Sequence, residues 1–221
     1  MLADRVRIGR KKGKVEAYLA QDDDFVKVSN RWVYRGSELE IEIPHIIQGE
    51  NVTAYDYMFS GGGSYLATPV TRVDSNNKMV TSMINMFYDS KATTLDLSSF
   101  DTSSVTDMRY MFSESSATTL DLSSFDTSNV TIMLNMFSES SATTLDLSSF
   151  DTSSVTIMRS MFSLSSATTL DLSSFDTSSV TNMMLMFSDS SATTGYAKTQ
   201  ADAIRFNNSS WKPTALTFVV K

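Results

Sequence analysis

Four consecutive segments of 25 residues, beginning at Ala92, Ala117, Ala142 and Ala167, are identical at twenty of their 25 positions. A unit of this length cannot bury its own apolar side, so each copy must rely on its neighbours. A diverged copy from Ala67 to Lys91 keeps Val80, Met83, Met86 and Phe87. A still earlier one aligns Ile41, Ile43 and Ile46 with Leu95, Leu97 and Phe100. It also aligns Val52, Met58 and Phe59 with Val105, Met111 and Phe112, with one residue inserted between the two groups. The array therefore has about six copies.

Within a copy, "TTLDLSSF" alternates. Leu95 and Leu97 point one way and Thr94, Asp96 and Ser98 the other, which reads as a short strand with one buried face. "VTDMRYMF" places Val105, Met108, Met111 and Phe112 at i, i+3, i+6 and i+7, the spacing of one helix face. "DTSS" between them is turn and N-cap chemistry. The predicted fold is an α/β repeat solenoid of leucine-rich-repeat-like coils. A parallel sheet lies on one face, short helices around Met108, Met133, Met158 and Met183 lie on the other, and both ends are capped. Residues 1–38 read as a basic segment and β-rich cap or attachment region, with turns at Asp22–Asp24 and Arg35–Ser37. Residues 39–191 read as the array and 192–221 as the C-terminal cap. In that cap the repeat breaks at Gly195. A helix starts at Thr199, with Asp202 completing a capping box, and the strand "LTFVV" follows. Phe206 and Trp211 are expected to cover the last copy.

Cysteine is absent, which excludes disulfides and thiolate metal sites. The start, "MLADRVRIGRKKGK", has no apolar export core, so export by an ordinary signal is not expected. No run reaches the ~18 apolar residues of a membrane span. Net charge is −7. Residues 92–191 hold 12 acidic and 2 basic residues, a net of −10, whereas six cations lie between Arg5 and Lys14. An acidic body excludes nucleic-acid binding along its length, because phosphate contacts need cations. Catalytic constellations are missing too. His45 is the single histidine, "SGGGS" at Ser60–Ser64 lacks the Lys-Ser/Thr of a phosphate loop, and the carboxylates sit on repeated surface positions. No cofactor is expected.

The string L-D-L-S-S-F-D-T-S-N/S-V-T-x-M-x-x-M-F resembles the unit of the BspA-like leucine-rich repeat family, also called the DUF285 repeat. The similarity covers residues 67–191 and, more loosely, 39–66. Family copies often carry Cys-Ser-Ser-Leu where this chain has Ser115–Ser116–Ala117. The resemblance implies a bacterial surface or secreted protein with an adhesive role and no catalytic residues. The opening residues are also similar to the start of small structural proteins of phages and prophages of Gram-positive bacteria.

Four positions change informatively among the perfect copies. Asp107 becomes Ile132, Ile157 and Asn182. Arg109 becomes Leu134, Arg159 and Met184. Tyr110 becomes Asn135, Ser160 and Leu185. Glu114 becomes Glu139, Leu164 and Asp189. On a helical wheel with Val105 at zero they fall at about 200°, 40°, 140° and 180°, away from the core residues. The serines of "SSFDTSS" are equally free of the core on this reading, yet they do not vary. The expectation is a diversified binding face, extended by Ile84 and Asn85 of the earlier copy. Tolerance of surface change and lateral packing against another subunit are the alternatives. The invariant sheet face is a second candidate. Thr94, Asp96, Thr119, Asp121, Thr144, Asp146, Thr169 and Asp171 form columns that a cation or sugar hydroxyls would fit, or that only solvent covers. The functional expectation is a non-catalytic adhesion or receptor-binding module. It would be virion-associated, assembled in a host cytoplasm, and attached to other virion proteins through its N-terminal segment. Its partner would be a cell-surface protein or glycan, and oligomer formation is left open. A bacterial cell-surface adhesin, a structural particle component and an engineered scaffold are the alternatives.

Overall fold

The computed structural model describes residues 18–19, 21–35, 40–60, 70–73, 80–95 and 97–221. The cations from Arg5 to Lys14, the glycines after Ser60, Asp96, and Gly36 and Ser37 of the turn expected at Arg35–Ser37 lie outside the described residues. The strands are β1 (Tyr18–Leu19), β2 (Phe25–Val28), β3 (Arg31–Tyr34), β4 (Glu40–Ile43), β5 (Ile46–Ile47) and β6 (Glu50–Asn51). They continue with β7 (Val70–Val73), β8 (Thr119–Leu120), β9 (Thr144–Leu145), β10 (Thr169–Leu172) and β11 (Thr194–Ala197). The helix α1 (Gln200–Asn207) and the strand β12 (Thr217–Val220) close the chain. Strands dominate, and α1 is the single α-helix among the described residues. The protein has a β-rich repeat fold.

Successive copies pair in parallel, 25 residues apart. Thr94 bridges Thr119, Thr119 lies opposite Thr144, and Thr169 lies opposite Thr194. Leu120, Leu122, Leu145, Leu147, Leu170 and Leu172 point into the core, while the threonines stay exposed. This is the pleat that the alternation predicts.

The short helices expected around Met108, Met133, Met158 and Met183 are not formed. Each segment is a run of consecutive turns. Alternate N–H groups go to the next copy: Met108, Tyr110, Phe112 and Glu114 donate to the carbonyls of Ile132, Leu134, Met136 and Ser138 at 2.9–3.1 Å. The groups between close turns within the copy, Met111 to Met108 at 3.3 Å and Ser113 to Tyr110 at 3.2 Å. Two residues per run are left-handed, such as Tyr110 (φ 56°) and Glu114 (φ 58°), a conformation no right-handed helix contains. A two-turn helix is marginal by itself. The run of turns instead bonds each copy to its neighbours and still buries Val105, Met108, Met111 and Phe112 completely.

The rings of this run form a column. Phe59, Phe87, Phe112, Phe137, Phe162 and Phe187 follow one another with centroids 5.7–6.2 Å apart and planes within 12°. Tyr34 closes its front, 5.7 Å from Phe59, and donates its N–H to the Met58 carbonyl at 3.1 Å. Tyr34 stands on β3, which pairs antiparallel with β2 around Ser29 and Asn30 (φ 47° and 67°). Positive φ at both central residues is what a tight hairpin requires. A second hairpin, β5–β6, turns at Gln48 and Gly49 (φ 49° and 79°) and holds the residue inserted in the first copy. The earliest copies depart from the fixed step. Ala54 bridges Ser82, 28 residues on, and β4 meets β7 with Ile41 opposite Thr71. That pairing lies one residue beyond the alignment drawn from the sequence.

At the back, β11 and β12 extend the parallel sheet. Gly195 stands in the leucine column because Phe218 fills that space: a Cβ on Gly195 would lie 2.4 Å from its ring. Phe206 of α1 and Phe218 close the ring column, 5.5 and 4.9 Å from Phe187. Thr199 caps α1, its hydroxyl accepting the Asp202 N–H at 3.1 Å. Trp211, expected to cover the last copy, is 60% exposed. Phe206 and Phe218 have already filled the end of the core.

Candidate functional site

On the sheet face, Thr94, Thr119, Thr144, Thr169, Asp121 and Asp146 are exposed and Asp171 is half-buried. The aspartates are occupied locally. Asp121, Asp146 and Asp171 each accept the N–H and the hydroxyl of the serine two residues on, Ser123, Ser148 and Ser173, at 2.6–3.1 Å. Those bonds hold Asp121 and Asp146 below the usual carboxylate range. Repulsion from Asp121 and Asp171 pushes Asp146 the other way without reversing the shift. Burial acts to raise Asp171, but its bonds to Lys221 and Ser173 keep it low. Among the described residues, no three His, Cys, Asp or Glu side chains are grouped to hold a metal.

The turn face carries the varied positions in columns. Asp107, Ile132, Ile157 and Asn182 are joined by parallel bridges and are all half-buried. Arg109 and Leu134 are half-buried, Arg159 and Met184 exposed. Tyr110, Asn135 and Leu185 are half-buried, and Ser160 and Asn85 are buried. Glu114 is half-buried and Leu164 exposed. The outward helical face expected for these residues is therefore shallower than the wheel implies. Of its apolar members only Leu164 (51%) and Met184 (49%) are largely open, while Ile84, Ile132, Leu134, Ile157 and Leu185 are half-buried.

Some of these residues are held in place. The Arg109 guanidinium bonds the Asp107 carboxylate at 2.6 and 3.0 Å, and that carboxylate also accepts the Arg109 N–H at 3.1 Å. The Tyr88 hydroxyl donates to Glu114 at 2.7 Å. That bond, then burial and the nearby negative charge, push the Tyr88 hydroxyl up to about 12. A polar cleft of about 330 Å³ beside the front hairpin is lined by Lys27, Arg31, Trp32, Glu50, Asn51 and Asp56, and Lys27 there is paired to Glu50 at 2.5 Å.

The invariant serines lie outside the core, as expected, but they are held by hydrogen bonds that the sequence reading does not anticipate. Ser123, Ser148 and Ser173 bond the aspartates already described. Ser124, Ser149 and Ser174 donate to the carbonyls of Leu97, Leu122 and Leu147 in the preceding copy at 2.9–3.2 Å. The reading also missed the buried Thr102, Thr127 and Thr152. Their hydroxyls donate to the Asp126, Asp151 and Asp176 carbonyls of the following copy at 2.8–2.9 Å. Their strict recurrence in "DTS" was the available signal.

Copies bonded in register through sheet, threonine and turn segments, between two non-repeating ends, make this a β-rich repeat protein. The family described as "Mycoplasma protein of unknown function, DUF285" matches residues 38–147 and again 114–214. The chain belongs to this family, and the two matches overlap inside the interchangeable copies. No curated protein and no solved structure matches it.

Proposed function

We propose that this chain is a non-catalytic binding or adhesion module, a solenoid whose turn face meets a protein or glycan on a cell surface. One observation carries the reading. The third and fourth varied positions are left-handed in every perfect copy, yet none of them is glycine. Tyr110, Leu185 and Leu164 in particular hold bulky side chains where the backbone favours glycine or asparagine. Keeping varied side chains at strained positions supports their use in contact. The same proposal takes residues 1–38 as the attachment segment and a virion as the setting, with a bacterial cell-surface adhesin as the alternative setting.

The test is binding of the purified chain to intact bacterial cells and to immobilised cell-wall glycans. Arg109, Tyr110, Leu134, Asn135, Met184 and Leu185 are then exchanged for the residues of a neighbouring copy. Binding should fall by tenfold or more, the order of one lost contact cluster. Binding that ignores these exchanges but fails in Asp121→Asn with Asp146→Asn moves the site to the sheet face. Absence of any binding favours a structural particle component.

A further inference from the structure

The C-terminal segment ends the array by imitating main chain with side chains. Inside the array, the Thr152 hydroxyl donates to the Asp176 carbonyl at 2.9 Å and accepts the Asp176 N–H at 2.8 Å. The last copy has no following aspartate peptide. There the Thr177 hydroxyl donates to the Asp202 carboxylate at 2.6 Å and accepts from the Arg205 guanidinium at 3.2 Å. Arg205 also donates to the carbonyls of Thr177 and Val180, both at 3.0 Å. At the sheet edge, the Asn207 carboxamide donates to the Phe218 carbonyl and accepts its N–H, both at 2.9 Å, as a neighbouring peptide would. All three side chains stand on α1.

The targets of this cap have one property in common. Its hydrogen bonds, ion pairs and ring contacts to the last copy fall on Thr168–Leu172, Asp176, Thr177, Val180 and Phe187. Each of these residues is the same in all four perfect copies. None of the contacts falls on Asn182, Met184, Leu185 or Asp189, the varied residues of that copy.

We propose that residues 192–221 form an interaction surface whose partner is any copy of this repeat, so the array changes length in 25-residue steps without refitting its end. The varied residues are then free to change, or to be gained and lost with whole copies, while the cap reads only the invariant frame. This holds whether or not the turn face binds a ligand.

Deleting residues 167–191 tests it directly, because the cap must then dock on the copy from Ala142. Thr152 would take Asp202 and Arg205, and Phe162 would meet Phe206 and Phe218. The shortened chain should fold, unfold cooperatively in urea with a smaller denaturant slope, and protect its α1 amides as the full chain does. In the full chain, replacing Asn182, Met184, Leu185 and Asp189 by the Ile, Arg, Ser and Leu of the preceding copy should lower the urea midpoint far less than Arg205→Ala does, because it removes only local bonds such as Met184 N–H to Asn182 and none to the cap. A deletion variant that does not fold overturns the proposal, whatever a control deletion of residues 117–141 does. A four-residue exchange that lowers the midpoint as much as Arg205→Ala also overturns it, because the cap would then be reading the varied positions.

Discussion

Leu164 shows what a single residue of this repeat is asked to do. It sits at φ 56° with 51% of its surface open, so it bears the left-handed backbone cost without the packing that would offset it. Leu164→Asn should stabilise the chain by about 0.5–1 kcal/mol, since asparagine tolerates this conformation and little burial is lost. Chemical denaturation measures it, and a lower midpoint would mean that the leucine packs on something in the folded chain. The aspartates give a second consequence at this scale. Serine hydroxyl and N–H bonds hold Asp121, Asp126, Asp146 and Asp176 below their ordinary range, and Asp151 is held there by the same two groups. A carboxylate lowered on folding contributes stability that is fully present above its unfolded value, about pH 4. That contribution is lost as pH falls through the lower folded value. The melting temperature should therefore drop progressively below about pH 4. A melting temperature that stays flat or rises towards pH 2 would contradict the assignment.

At the scale of the element, the strand was legible and the helix was not. Leu120 and Leu122 alternate with Thr119 and Asp121, and only a pleat satisfies that pattern. The spacing of Val105, Met108, Met111 and Phe112 suits a helix face equally well as a run of turns. The glycines that usually announce left-handed residues are replaced here by Tyr110 and Glu114. The varied positions are read directly from the sequence, but their depth is misjudged there, because the wheel assumes the wrong backbone. Thr152 was read as part of a turn and is instead a rivet between copies. Thr152→Val keeps the shape but leaves the Asp176 N–H and carbonyl without their partner, which should cost about 1–3 kcal/mol. Thr119→Val, on the exposed sheet face, should change stability by less than about 0.5 kcal/mol. Equal losses in the two variants would mean that the buried threonine carries no special bond.

For the whole molecule, the invariant residues that bond copy to copy and the varied residues proposed for binding occupy different positions of the same 25-residue frame. Invariant leucines, methionines, phenylalanines, threonines and serines bond copy to copy, and the ring column runs unbroken from Tyr34 to Phe218. The varied residues hang on the turn runs, whose main chain in the first three perfect copies is bonded by the next copy and by turns within the copy. Everything proposed for this chain depends on those runs lying side by side in register, and the absence of cysteine makes that directly measurable. Ile132 and Ile157 are bridge partners in adjacent copies, and paired backbones of this kind lie about 5 Å apart, within disulfide reach. With Ile132→Cys and Ile157→Cys introduced together, mild oxidation of the dilute monomer should give a nearly complete intramolecular disulfide. The offset pair Ile132→Cys with Arg159→Cys should give little. Packed helices would hold their axes about 8–10 Å apart, so failure of the first pair to close, or equal closure of both, would contradict the stacked-turn architecture.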